Sequence, residues 1–289
     1  MKNLLLILSV ILISTLSSFS PVIPIQEIDL FDAISQNLVR VDATSNGKHS
    51  GYSVLLTLTN NTSNTLRIHI PGGLNYNPND NGEQTLIQLH EQFVALKPNE
   101  KHDGKIAAFC TEASDRCPSE NSRMTITRNK NAGLEQLVDY LKTNNTVTKS
   151  AYQDAVWAIS DGHSISNIVT ETPQDESFRR KIAEITGQKN TWYTSPQNVR
   201  IDAAGNFRQE TLRISGMLSF TCPKGTEVHQ DIHKGNGDVF FASDKTMRAA
   251  YGGNIKYEFK LAVQGWERGD YYILIHDGTK ELARYEFKV

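Results

Sequence analysis

Apolar residues recur with period two over most of this chain, and with the helical period over four short stretches, one near its start and three near its middle. Ser53-Val54-Leu55-Leu56-Thr57-Leu58-Thr59 and Thr65-Leu66-Arg67-Ile68-His69-Ile70 are rich in strand formers. Between them stands Asn60-Asn61-Thr62-Ser63-Asn64, a cluster of turn formers, so the spacing predicts a hairpin. Further strands are expected over residues 84–89, 92–96, 105–109 and 124–127. Short strands this close together, broken by Gly, Pro and Asn, predict a sandwich.

The helical period appears first over residues 28–39, through Leu30, Phe31, Ile34 and Leu38. Leu134, Leu137, Val138 and Leu141 make a second stripe, and Tyr152, Val156 and Ile159 a third, with Gly162 placed to end that helix. Another helix opens behind Pro173, carries Phe178 to Ile185 and closes at Gly187. These helices are expected to cover a sheet face or edge. From about Ser195 period two returns. Strands are predicted over 198–202, 207–212 and 214–220, and Ile255, Tyr257, Phe259 and Leu261 alternate with polar residues. Asp277-Gly278 predicts a type I′ turn between strands at 271–276 and 283–289. The fold class is therefore mainly β with a few helices, in two β-sandwich-like domains, the first with a helical cover. Their expected spans are 21–194 and 195–289.

Residues 1–20 have a different pattern. Lys2 precedes an apolar and hydroxylated run from Leu4 to Leu16, then Ser17, Ser18, Phe19 and Ser20, the layout of a cleavable signal peptide. The run is shorter than the roughly 20 residues a bilayer requires, and nothing later approaches that length, so no transmembrane segment is expected. The chain is read as exported, to the periplasm, the cell surface or the medium. With 30 basic and 32 acidic side chains and a formal charge of -2, it shows no block of charge that would suit nucleic acid. Three cysteines, Cys110, Cys117 and Cys222, therefore stand in a disulfide-permissive compartment. Cys110 and Cys117 flank a polar loop and are the expected pair, leaving Cys222 as a buried thiol.

Two resemblances add to this reading. Tyr257-Glu258-Phe259, Arg268-Gly269-Asp270-Tyr271-Tyr272-Ile273-Leu274-Ile275, Asp277-Gly278 and Tyr285-Glu286-Phe287-Lys288-Val289 resemble the C-terminal immunoglobulin-like modules of Bacteroidetes secreted proteins and of flagellar hook-capping proteins. That resemblance implies an immunoglobulin-like sandwich at the C-terminus. Phe109-Cys110-Thr111 and Tyr152-Gln153-Asp154-Ala155-Val156-Trp157 resemble the two pieces of bacterial thioester adhesion domains. That second resemblance implies an internal bond between Cys110 and Gln153 that waits for a partner amine.

Other constellations are weaker. His229, Asp231 and His233 fall at period two and would share one strand face, as metal ligands must. Asn77, Asn79 and Asn81 lie in a run dense in oxygen ligands, but the twelfth position counted from Asn77 is Gln88, where a calcium loop places a bidentate Glu. Gly162-His163-Ser164-Ile165-Ser166 lacks the second glycine of a nucleophile elbow and reads as a helix stop. Catalysis has no motif to rest on, and no cofactor is implied. The expected role is a non-enzymatic, adhesin-like interaction with a protein or glycan surface. The alternatives are a secreted hydrolase whose site assembles from distant residues, and a covalent thioester adhesin.

Overall fold

Asn60, at the point where a hairpin is expected, instead sends the chain out of one sheet and into another. It does so in a computed structural model that describes residues 27–80, 82–144, 151–201 and 207–289. The signal-peptide reading, Asn81, and the turn expected at 203–206 lie outside the described residues. The strands before the helices are β1 (Glu27–Asp29), β2 (Val39–Ser45), β3 (Tyr52–Asn60), β4 (Leu66–Ile70), β5 (Leu74–Pro78), β6 (Leu86–Gln88), β7 (Gln92–Leu96), β8 (Lys101–Cys110) and β9 (Arg123–Arg128). Two compact units contain them. The first holds Met1–Val41, Thr57–Pro71 and Glu91–His102, the second holds the rest, and β2, β3 and β8 each run from one into the other.

In the first unit, β4 lies between β1, its parallel partner, and β7, its antiparallel one. Helix α1 (Leu30–Ser35) starts at Asp29, whose carboxylate accepts the Phe31 N–H, and buries Leu30 and Ala33. Leu58, Leu66, Ile68, Ile70 and Leu96 are buried too. The Asn60 amide donates to the carbonyls of Asn64 and Lys97 at 2.8 and 2.9 Å, while its oxygen accepts the Thr62 N–H at 2.9 Å. This Asx turn satisfies the backbone locally and redirects it, so β3 and β4 are not paired.

In the second unit, β5, β6 and β9, with the lengths of β2, β3 and β8 that belong there, close a barrel in the order β2-β3-β8-β6-β5-β9. In place of the sandwich expected for the first domain stand this closed barrel, which has no edge strand of its own, and the three-stranded sheet β1-β4-β7. The helical layer consists of α2 (Ala132–Thr143), α3 (Ala151–Ser160) and α4 (Pro173–Thr186). Asn131 caps α2. Thr172 and Asp175 form a capping box on α4, which has Pro173 in its first turn and left-handed Gly187 at its end. Leu137, Tyr152, Val156, Phe178 and Ile182 pack with Ile87, Leu89 and Phe109 in one core. Phe178 is fully buried, so truncating it to Ala should cost about 3–5 kcal/mol.

The C-terminal strands are β10 (Tyr193–Thr194), β11 (Gln197–Ile201), β12 (Phe207–Thr211), β13 (Arg213–Cys222), β14 (Glu227–Lys234), β15 (Val239–Ala242), β16 (Met247–Arg248), β17 (Gly253–Ala262), β18 (Asp270–His276) and β19 (Glu281–Lys288). They form a sheet β10-β13-β17, a sheet β15-β14-β18-β19 with β16 also on β14, and the hairpin β11-β12. Ile214, Leu218, Phe259, Ile273, Ile275 and Phe287 belong to the core of this region. The β18-β19 hairpin is present, but its turn holds four residues between His276 and Glu281. Asp277 there accepts the Thr279 and Lys280 N–H groups and Gly278 is left-handed, so the turn is not the two-residue type expected. Among the described residues no helix is long and apolar enough to cross a membrane.

Candidate functional site

Strand β8 changes character along its length. Its first half alternates exposed and half-buried residues, whereas Ala108, Phe109 and Cys110 are all buried, because the helical layer covers the last turn of the strand. Leu86 and Ile87 of β6 pair with Cys110 and Phe109. On α3, Gln153, Trp157 and Ser160 follow one another at i, i+4 and i+7 and so form one stripe. The stripe meets the strand end. The Gln153 Oε1 accepts the Cys110 N–H at 3.1 Å and its Nε2 donates to the Cys110 carbonyl at 2.8 Å, both bonds buried. Ser160 Oγ donates to the Thr111 carbonyl at 2.7 Å, and Asp161 accepts the Ala113 N–H at 2.9 Å. Below the pair, Tyr152 meets Phe109 edge-on at 5.7 Å and Phe178 at 6.0 Å.

The loop after Cys110 is pinned from the other side. Glu83, buried, accepts from Ser119 N, Ser119 Oγ and Ser122 Oγ at 2.8, 2.6 and 2.7 Å. These bonds outweigh its desolvation and hold its carboxyl below the usual carboxylate range. Gln84 Nε2 donates to the Asp115 carbonyl, and Arg116 reaches Asp80 at 3.3 Å. The Cys117 Sγ donates to the Pro118 carbonyl at 3.7 Å. The expected Cys110–Cys117 disulfide is not formed: Cys110, Cys117 and Cys222 are all free. Burial pushes the Cys110 thiol well up, and Cys117 and Glu112 push it further the same way, so it is held as a protonated thiol. Cys117 is also raised by burial.

Within the same stripe of α3, Trp157 stacks toward His49 at 6.4 Å and lies 5.6 Å from His163. The His49 carbonyl shares the Cys110 N–H, at 3.0 Å. Asp154, in the first turn of α3, is pushed up to about 6 by desolvation. What the arrangement offers chemically is a buried carboxamide fixed against the main chain of a residue that itself carries a buried thiol.

The metal candidates are not assembled in this way. His229, Asp231 and His233 do share β14, but the Asp231 carboxylate is taken by His276 Nε2 at 2.9 Å. The His229 ring stacks on His276, and His233 stacks on Tyr272 with Nδ1 at 3.1 Å from the Gly237 carbonyl. A cross-strand neighbour, invisible to a single-strand spacing, thus takes the Asp231 carboxylate. Asn77 lies in β5 and gives its amide to Thr125 and Thr127, while Asn79 is exposed beyond the strand end. Among the described residues no group of three or more His, Cys, Asp or Glu side chains is placed to hold a metal ion. Gly162 is left-handed and follows the end of α3, as a helix stop should be.

Compared with protein-family models the chain matches none, and none of the curated proteins matches it.

Proposed function

We propose that this chain is an exported surface-interaction protein that holds its partner covalently, through an internal thioester between Cys110 and Gln153. The observation that carries the reading is the buried pairing of the Gln153 carboxamide with Cys110, between a strand end and a helix 43 residues on. In the first step the Cys110 sulfur adds to the Gln153 amide carbon, the C–N bond breaks, and ammonia leaves with the thiol proton. In the second, a primary amine on the partner displaces the sulfur, leaving an amide on residue 153 and returning the Cys110 thiol. The apolar core beneath the pair protects the intermediate from hydrolysis. Export rests on the signal-peptide pattern of residues 1–20. The C-terminal sheets are read as an immunoglobulin-like module, on the Gly269-Asp270-Tyr271-Tyr272 strand and its pairing with the final strand.

Intact mass of the protein, measured under denaturing conditions without reductant, tests the bond. A thioester lowers mass by about 17 Da through loss of ammonia, and the deficit should vanish in Cys110→Ala, in Gln153→Ala and on treatment with methylamine. An unmodified mass would overturn the covalent reading and leave Gln153 as a tie between helix and strand. So would a deficit of about 2 Da reversed by reductant, the mark of a Cys110–Cys117 disulfide. In either case the protein would be a non-covalent binder.

A further inference from the structure

A cleft of about 280 Å³ lies beside the short 3-10 turn Ile165–Asn167, and its lining comes from five separate stretches of the chain. Its floor is a relay of hydroxyls. Ser164 Oγ lies 2.7 Å from Ser166 Oγ, Ser166 Oγ lies 2.6 Å from Ser195 Oγ, and Ser195 Oγ donates to Asn167 Oδ1 at 3.4 Å. Ser166, Asn167 and Ser195 are each buried. Each hydroxyl carries one proton and two lone pairs, so a relay that ends on the Asn167 oxygen leaves lone pairs, and the Asn167 amide hydrogens, for whatever enters.

Two further lining groups are held rigidly. Glu210 accepts the Gly265 N–H at 2.8 Å and the Gln264 amide at 3.3 Å, which fixes its carboxylate while leaving acceptor capacity. Trp266 is braced by Phe240 at 4.5 Å and Tyr271 at 5.3 Å between ring centres. Gln197 stands exposed at the mouth. Glu210, Arg268 and Lys288 line the same cleft, so the charge is of both signs and does not select a strong anion or cation.

The geometry points to a carbohydrate site that takes one pyranose unit. A sugar ring presents an apolar C–H face, which an indole accepts, and a rim of hydroxyls, each both donor and acceptor, which a relay of Ser, Asn, Gln and Glu matches. The volume is at the small end of ligand pockets, roughly 300 Å³ upward, and so suits a single ring. This site does not depend on the thioester: its residues are distinct from Cys110 and Gln153.

Titration calorimetry on the mature protein with methyl glucoside, methyl galactoside, methyl mannoside and N-acetylglucosamine, with saturation-transfer NMR as a second readout, tests the site. At least one sugar should bind, and Asn167→Ala and Trp266→Ala should each weaken it about tenfold or more. Because Trp266→Ala removes packing as well, circular dichroism must show it folded, and Gln197→Ala, at an exposed position, supplies an independent loss. Cys110→Ala should bind as the parent does, which separates failure here from failure of the thioester. Absence of binding by all four sugars would overturn the proposal, as would binding that survives Asn167→Ala and Gln197→Ala unchanged.

Discussion

Gln153 holds Cys110 by both of its main-chain polar atoms, as a neighbouring strand would, although it reaches the strand from a helix. Relative to a chain whose carboxamide is intact, before a thioester forms, replacing Gln153 by Ala leaves the Cys110 carbonyl without that donor, while the N–H keeps its bond to the His49 carbonyl. A net loss of about 1–2 kcal/mol follows for one buried acceptor stripped of its partner and one shared donor. Urea denaturation should show a lower midpoint with an unchanged slope. Cys110→Ala keeps both hydrogen bonds, so it should be the milder variant. If the two were equally stable, the carboxamide would not be tying α3 to β8.

Asp154 predicts a loss of stability with rising pH. Desolvation raises its carboxyl from 3.8 to about 6 in the folded chain, against the helix N-terminus, which favours its charge. Between those two values the folded state holds more protons than the unfolded one, so stability falls across that window and is flat above it. At one pKa unit per about 1.4 kcal/mol, Asp154→Asn should stabilise the protein at pH 7 by about 1–3 kcal/mol, and by nearly nothing at pH 4. Thermal melts of both proteins across pH 4–8 read the difference, and an advantage that did not vary with pH would rule out titration as its cause.

The helices were legible in the sequence because their stripes are local. Leu134, Leu137, Val138 and Leu141 are all buried, as are Tyr152 and Val156. Strand existence was legible too, since Ile255 and Phe259 of β17 turn inward on alternate positions. Strand partnership was not. Alternation says which face of β3 and β4 is apolar, but it does not say that the Asn60 turn parts them into different sheets. The pairing of Cys110 with Gln153 was visible only through a resemblance. The hydroxyl relay had no signal: Ser166 and Ser195 are 29 positions apart, Trp266 is a further 71, and none sits in a motif.

Tyr285 ties the two C-terminal sheets together, accepting the Ser219 N–H at 2.7 Å and donating to the Ser219 carbonyl at 2.6 Å. It stands on β19, in the sheet β15-β14-β18-β19, whereas Ser219 is on β13 in the other sheet. Tyr285→Phe keeps the ring against Trp192 and removes both bonds. The expected cost is about 1–2 kcal/mol, less than a truncation to Ala, which also loses the packing. A Tyr285→Phe variant as stable as the parent, measured by denaturant titration, would show that the ring matters and the hydroxyl does not.

Glu83 predicts the opposite pH dependence from Asp154. Its carboxyl is held below its ordinary value by hydrogen bonds from Ser119 and Ser122, bonds that are stronger to the charged carboxylate than to the neutral acid. The folded pKa is depressed, so the stabilisation is fully present above the unfolded value of about 4.5 and is lost as pH falls through the folded one. Glu83→Gln keeps a single acceptor oxygen and turns an NH2 donor toward groups that themselves donate. The variant should therefore be less stable than the parent at pH 7, with the gap closing on acidification as Glu83 itself takes up a proton. Because Ser119 and Ser122 follow Cys117 in the chain, the same change should speed the reaction of the Cys117 thiol with a neutral alkylating reagent. Melts at pH 3, 5 and 7, paired with alkylation rates at pH 7, read both effects. A gap that stays constant down to pH 3 would mean that the charge on Glu83 does not hold the loop.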